Sequence, residues 1–241
     1  AHWYRQLGYL HYLQGQYELA LECLRKGQEI SRRHGFPAAL ALDLYAITLV
    51  AVALGDVESA QDELSAFEAA AGVPVRRAEL AVWHHVRSLV ALYKGDFEAS
   101  FAAARAAADA AAQAGWPQME TLRRLQLAFM HAEVGNPAAA IAEVQQAEQL
   151  IVGTALQFYG CGLLLARAYI ALKQDDSAQC QALLRQALGQ ARASSFVFVT
   201  RFLPDALPRL FEHALRAGIE VDYTREVIRR LREQPATADI P

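Results

Sequence analysis

Small and bulky side chains recur along the chain with a spacing of 40 residues. In each block of this length the eighth and twentieth residues are small, and the tenth is bulky and apolar. The small residues are Gly8, Thr48, Ser88, Ala128 and Ala168, followed by Ala20, Ala60, Ser100, Ala140 and Cys180. The bulky ones are Leu10, Val50, Val90, Met130 and Ile170. Small residues at fixed places on two helices let their backbones approach closely. The pattern predicts stacked pairs of helices rather than a single globular core.

Turn residues recur with the same period and divide each block into two helices. Glycine past the end of a helix adopts the left-handed conformation, and a polar residue after it can accept from the free amides of the next helix. These turn positions are Gly15, Gly55, Gly95, Gly135 and, in altered form, Asp175. A second stop, glycine followed two residues later by proline, recurs at 35–37, 72–74 and 115–117. Glycine after one helix and proline at the start of the next is the expected asymmetry.

This order of residues resembles the tetratricopeptide repeat. In the first block it is carried by Leu7-Gly8, Gly15, Ala20 and Leu24. The resemblance implies an all-α fold, a right-handed superhelix of helical hairpins, with units longer than the usual 34 residues. We predict five elongated repeats within 1–195, at about 1–37, 38–75, 76–117, 118–157 and 158–195.

Residues 196–241 leave the repeat pattern. Pro204 and Pro208 predict a helix start, Gly218 its end, and a last short helix is expected from Tyr223 to Leu231. A terminal unit must cover the open end of a solenoid, so we expect capping helices here. An outgoing linker is expected at 234–241.

The segment from Ala214 to Tyr223, with Val227-Ile228-Arg229-Arg230 after it, is similar to the end of the helical-repeat region in MalT-like signal-transduction ATPases. In these bacterial transcriptional regulators and their relatives, an ATPase precedes the array and a DNA-binding domain follows or accompanies it. The resemblance implies that the array receives an effector or a partner protein and controls the attached domains. Because the chain opens at Ala1 inside a helical pattern, we expect it to be part of a longer protein.

Composition narrows the classes of partner. Hydrophobic residues make up 54% of the chain, and the formal net charge is −3, which gives no electrostatic case for nucleic acid or an acidic membrane. No apolar run is long enough to cross a bilayer. Cys23, Cys161 and Cys180 are too scattered for a disulfide framework and fit a reducing cytosol. We therefore expect a cytoplasmic protein.

The sequence contains no motif that predicts catalysis, a metal site or a cofactor. His84 and His85 are neighbours on a predicted helix, so their side chains diverge by about 100° and do not readily share a metal. No serine follows a nucleophile-elbow pattern, and no glycine-rich loop could hold a phosphate. We expect a regulatory sensor rather than an enzyme. An autonomous scaffold for partner proteins is the alternative, and an α-toroid enzyme, which needs facing carboxylates, is less favoured.

The repeat resemblance also implies a concave face formed by the first helix of each pair. That face would combine aromatic rings with a few polar groups, which suits a peptide segment, a protein surface or a small effector. Packing between repeats is the alternative, since aromatic residues at helical spacing are usually core. We expect packing for Trp3 and Trp83, which share a register position. The candidate binding residues are Arg5, Tyr9, Tyr12, Tyr45, His85, Tyr93, Phe129 and Tyr169. Among these, Tyr45, His85 and Phe129 are expected to act together.

Overall fold

The computed structural model describes residues 1–13, 16–71, 76–153, 159–193, 203 and 205–232, and every regular element in these ranges is a helix. The all-α prediction is therefore confirmed for this part of the chain. The predicted turn at Gly15, the stop at 72–74, Pro204 and the linker at 234–241 lie outside the described residues. The chain divides into two compact units, unit 1 within 1–114 and unit 2 within 115–233.

Unit 1 consists of three helical pairs. Within unit 1 the first helix of each later pair also packs on the preceding pair, since α3 contacts α1 and α2 and α5 contacts α3 and α4. The helices are α1 (His2–Leu13), α2 (Tyr17–Arg33), α3 (Pro37–Ala53), α4 (Val57–Ala71), α5 (Arg77–Tyr93) and α6 (Phe97–Gln113).

Unit 2 consists of two helical pairs followed by two further helices. The pairs are α7 (Pro117–Glu133) with α8 (Pro137–Ile151), and α9 (Gly160–Lys173) with α10 (Ser177–Ala193). The last helices, α11 (Ala206–Arg216) and α12 (Val221–Arg232), both pack against α10, and α11 also contacts α9. α11 accommodates Pro208 in its first turn, where a proline costs no helical hydrogen bond. α12 begins at Val221, two residues before the predicted start at Tyr223.

The predicted small positions lie where the two helices of a pair meet. Ala20, Ala60, Ser100, Ala140 and Cys180 are all fully buried. In the α5–α6 pair, the Ser100 hydroxyl donates to the Ser88 backbone carbonyl at 2.8 Å, so the eighth and twentieth register positions touch. In the α1–α2 pair, a Cβ added to Gly8 would lie 2.6 Å from Cγ of Leu24, which leaves no room for a methyl group. The alternation of side-chain size therefore sets the spacing of each helical pair.

The turn inside each described pair has the predicted left-handed residue. Gly55, Gly95 and Gly135 have φ angles of 72°, 78° and 74°, and Asp175 adopts the same conformation at 60°. The polar residue that follows caps the next helix, because the side chains of Asp56, Asp96, Asn136 and Asp176 accept from the amides of Ser59, Ala99, Ala139 and Gln179. The sequence prediction for these turns is confirmed, including the block in which aspartate replaces glycine.

Candidate functional site

Four helices of unit 1 bring tyrosines together around Tyr12. Tyr9 and Tyr12 are three residues apart on α1 and share a face, and their rings stack with centroids 5.9 Å apart. The ring of Tyr17, on α2, lies 6.0 Å from that of Tyr12. Tyr45 on α3 and Tyr93 on α5 lie within electrostatic range of the Tyr12 hydroxyl, since each raises its pKa. We call Tyr9, Tyr12, Tyr17, Tyr45 and Tyr93 the tyrosine cluster.

The tyrosine cluster is anchored on one side and open to solvent on the other. Tyr17 and Tyr93 are buried, and Tyr17 belongs to the core formed by α2 and α3. Tyr12 and Tyr45 are partly exposed, and Tyr9 keeps 40% of its surface in solvent. Rings fixed by packing lose little conformational freedom when they contact a ligand. The cluster thus combines a rigid base with an accessible aromatic surface.

The Tyr12 hydroxyl stays neutral across the physiological range. Partial burial raises the pKa of Tyr12 well above its usual range, and Tyr9, Tyr17, Tyr45 and Tyr93 raise it further. A neutral phenol can both donate and accept a hydrogen bond. The cluster therefore offers hydroxyl groups without a charge.

We expect the Tyr12→Phe variant to lose one phenol whose pKa lies well above the usual range for tyrosine. Because folding raises the pKa of Tyr12, this group contributes stability that is fully present below the unfolded value of about 10 and is lost as pH rises through the folded value. Alkaline titration followed by near-ultraviolet absorbance, with denaturant unfolding at each pH, measures both effects. Tyr4→Phe is the control, since Tyr4 is on the same helix and outside the cluster. Identical titration changes for the two variants would contradict the cluster geometry.

His85 supports Tyr45. Their ring centroids are 5.5 Å apart with the rings inclined by 56°. His85 is only 3% exposed, so its contact with a ligand would run through Tyr45 rather than through its own surface.

Arg5 belongs to a buried network. Its guanidinium donates to Oδ1 of Asp43 at 2.9 Å and to the carbonyl of Ala39 at 3.3 Å. Asp43 is fully buried, and its Oδ2 accepts from the Ser31 hydroxyl at 2.5 Å. The network joins α1, α2 and α3, so Arg5 holds the helix that carries Tyr9 and Tyr12. On the exposed side of this network, Nη2 of Arg5 lies 3.3 Å from Nδ1 of His2, on the same helix.

In unit 2, the predicted residues Phe129 and Tyr169 lie against each other, with ring centroids 5.2 Å apart. Each is 1% exposed. The Tyr169 hydroxyl donates to the Glu133 carboxylate, which also pairs with Lys173 at 3.4 Å and with Arg209 of α11 at 3.5 Å. Phe129 and Tyr169 therefore form part of the unit 2 core instead of a solvent-facing surface.

The Glu133 carboxylate is charged at neutral pH despite its surroundings. Burial alone would raise its pKa, but the Tyr169 hydrogen bond and the charges of Lys173 and Arg209 together lower it below the ordinary value. A charged Glu133 holds α7, α9 and α11 together. Sequence spacing could not predict this contact, because Arg209 is 76 residues away.

Unit 2 also contains a surface cavity of about 240 Å³ among α8, α9 and α10, which the sequence pattern did not indicate. Its lining residues are Ile141, Val144, Gln145, Arg167, Ile170, Ala171, Gln174 and Gln179. The sequence does contain one difference between the repeats that could have indicated this cavity. In unit 1, Lys94 crosses to Gln61 at 2.9 Å. The equivalent residues in unit 2 are Gln174 and Ile141, and this hydrogen bond cannot form there because the Ile141 side chain has no acceptor.

Within the described ranges, no group of three histidine, cysteine, aspartate or glutamate side chains could hold a metal ion. None of the described helices combines the length and the apolar character needed to cross a membrane.

Comparisons with known proteins give a likeness in fold to solved structures. No protein-family model matches the chain, and no curated protein matches it. The crystal structure of a Rap protein complexed with competence and sporulation factor matches with a TM-score of 0.67 and 13% identity. The match covers 95% of this chain and 62% of the Rap chain, so our chain spans less than two thirds of that protein's length. At this identity the likeness concerns the fold alone, and it confirms the tetratricopeptide-like helical-repeat class.

Proposed function

We propose that this chain is a regulatory interaction module that binds a peptide segment or protein surface through the tyrosine cluster of unit 1. The partly exposed rings of Tyr9, Tyr12 and Tyr45, fixed on a buried base, carry the proposal. The helical-repeat fold supports it, since such folds present extended surfaces to partners.

The chemistry of the cluster suits a polypeptide. Tyrosine supplies a large contact area at a low cost in conformational entropy, and its hydroxyl can pair with peptide amides or carbonyls. Neutral phenols make no demand for a charged ligand, and the chain has a formal net charge of only −3. The Rap protein, which has the same fold class, is complexed with competence and sporulation factor. By analogy, a protein or peptide partner is favoured for this chain.

The parent protein, in this proposal, is a bacterial transcriptional regulator with attached ATPase and DNA-binding domains. The support is the resemblance of residues 214–223 to the end of the repeat region in MalT-like regulators. These residues span the end of α11, the turn at Gly218 and the start of α12. A partner would control the attached domains only through its different affinity for two conformations of the array. The autonomous scaffold remains the alternative, and the reading frames on both sides of this segment distinguish the two.

Selection of peptides from a random displayed library tests the binding function. We expect the strongest selected peptide to bind the unmodified chain and to lose about tenfold or more in affinity with Tyr9→Ala or Tyr45→Ala, because aromatic anchors dominate such contacts. Titration calorimetry measures the affinities, and circular dichroism verifies that each variant is folded.

Tyr4→Ala is the matched control, since Tyr4 is equally exposed on α1 but lies outside the tyrosine cluster. Selection of no peptide, or a peptide whose affinity is unchanged by Tyr9→Ala and Tyr45→Ala, would contradict the assignment of the site.

A further inference from the structure

α1 carries an apolar face that the described residues of unit 1 leave in solvent. Trp3 is 85% exposed, Leu7 44% and Leu10 50%. These residues are four and three positions apart, so they lie along one side of the helix. Three large apolar side chains in a row are more than the isolated exposed residues that any surface contains.

The same register positions are buried one repeat later. Ile47 and Val50 of α3 correspond to Leu7 and Leu10, and they are 2% and 0% exposed. They pack against Tyr17, Ala20 and Leu24 of the preceding helical pair, which the structure describes as one core cluster. The face on α1 is therefore the continuation of an interface that unit 1 already forms.

Trp83 of α5 stands at the register position of Trp3 and shows which contacts a tryptophan makes there. Trp83 packs against Ala41 and Leu44 of α3, and its indole N–H donates to Glu68 of α4 at 2.9 Å. Thus the first helix of the preceding pair supplies two apolar contacts, and the second supplies one hydrogen-bond acceptor. Trp83 is only partly exposed as a result.

In α3 the same register position is occupied by an aspartate, which needs hydrogen-bond donors rather than apolar contacts. Asp43 stands at the same register position and bonds to Arg5 and Ser31 of the preceding pair. An indole cannot accept a hydrogen bond from a guanidinium as a carboxylate does. A hairpin that seats Trp3 would therefore resemble the α3–α4 pair and would not carry the Arg5 and Ser31 side chains of the α1–α2 pair.

We propose that Trp3, Leu7 and Leu10 bind a further helical hairpin of the same repeat type, which continues the array on the α1 side. Its first helix carries a small and a large apolar residue three positions apart, like Ala41 and Leu44. Its second helix carries a carboxylate or amide at the position of Glu68. This inference is independent of the tyrosine cluster and its proposed ligand.

An in-register extension of the chain tests the proposal. Residues 37–80 are copied and joined ahead of Ala1, which places Trp3 in the register of Trp83. We expect the extension to raise the melting temperature. We also expect Trp3→Ala to lower it by at least about 4 °C in the extended chain, given roughly 2–4 °C per kcal/mol at this size, and by much less in the unmodified chain.

A second extension provides the matched control. Residues 1–40 joined ahead of Ala1 place Trp3 in the register of Asp43, opposite copies of Arg5 and Ser31. We expect this hairpin to stabilise the chain less than the copy of residues 37–80. Equal stabilisation by both, an equal effect of Trp3→Ala with and without the extension, or unfolding caused by the copy of residues 37–80 would each overturn the proposal.

Light scattering on the unmodified chain tests whether a second copy of the chain, rather than a helical hairpin, binds this face. We expect a mass that Trp3→Ala does not change. A dimer that Trp3→Ala converts to a monomer would show that two copies bind through this face, which would overturn the proposal.

Discussion

Asp43→Ala is expected to destabilise unit 1 by about 3 kcal/mol, at the low end of the 3–5 kcal/mol seen when one partner of a buried ion pair is removed. Asp43 is fully buried and accepts from both Arg5 and Ser31. The variant leaves the guanidinium, whose side chain is 15% exposed, without its carboxylate. Because Arg5 keeps its hydrogen bond to the Ala39 carbonyl, we expect a loss of stability near the lower end of that range. Denaturant unfolding followed by circular dichroism measures the change.

Two further variants test whether the effect of Asp43→Ala comes from the loss of its buried ion pair. Asp109→Ala removes an exposed aspartate from α6 of the same unit, and its effect should stay within about 0.5 kcal/mol. The double variant Arg5→Met with Asp43→Leu should recover part of the loss, since apolar side chains of similar volume often replace a buried ion pair without cost. The recovery is incomplete because the buried Ser31 hydroxyl still loses its acceptor. Equal destabilisation by Asp43→Ala and Asp109→Ala would show that the network does not hold α1 in place.

Ala140→Leu should destabilise unit 2 by roughly 1–3 kcal/mol through overpacking. Ala140 is completely buried on α8, at the register position where Ser100 touches Ser88 in unit 1. The larger side chain must displace the backbone of the paired helix or adopt a strained rotamer. Thermal unfolding measures the effect, at roughly 2–4 °C per kcal/mol for a chain of this size.

Ala142→Leu is the control for this substitution. It introduces the same side chain on the same helix at an exposed position, so we expect little change in the melting temperature. Glu143 is less suitable as a neutral site, because it accepts from Arg124 at 3.0 Å and its side chain is only 17% exposed. Equal melting temperatures for Ala140→Leu and Ala142→Leu would contradict the proposed register.

Helices and turns could be predicted from spacing because their causes are local. A left-handed residue and a capping side chain act within a few positions, so Asp175 and Asp176 preserve the turn even though the glycine is lost. The buried small positions were predictable for a related reason, since each repeat contacts its neighbours in the same way. Ala140 and Cys180 follow the register set by Ala20.

The residues of the candidate site were harder to predict from the sequence. Tyr9, Tyr12 and Tyr45 are exposed enough to contact a partner, whereas Arg5 is held by a residue 38 positions away. Spacing places a side chain on a face of its helix, but the partner that covers that face comes from another element. Tyr17 was not among the predicted residues, because it lies on a second helix and reaches the cluster across the turn.

Side-chain size and turn chemistry, repeated every 40 residues, were sufficient to predict the all-α class and its helical pairs, because both act through short-range contacts. Long-range packing determined which first-helix residues face solvent. Phe129 and Tyr169 are enclosed where Glu133 meets Arg209 of α11, while Trp3, at the register of the buried Asp43, is 85% exposed. Equivalent positions in the repeat thus differ in exposure, because burial depends on the neighbouring helix and not on the position itself.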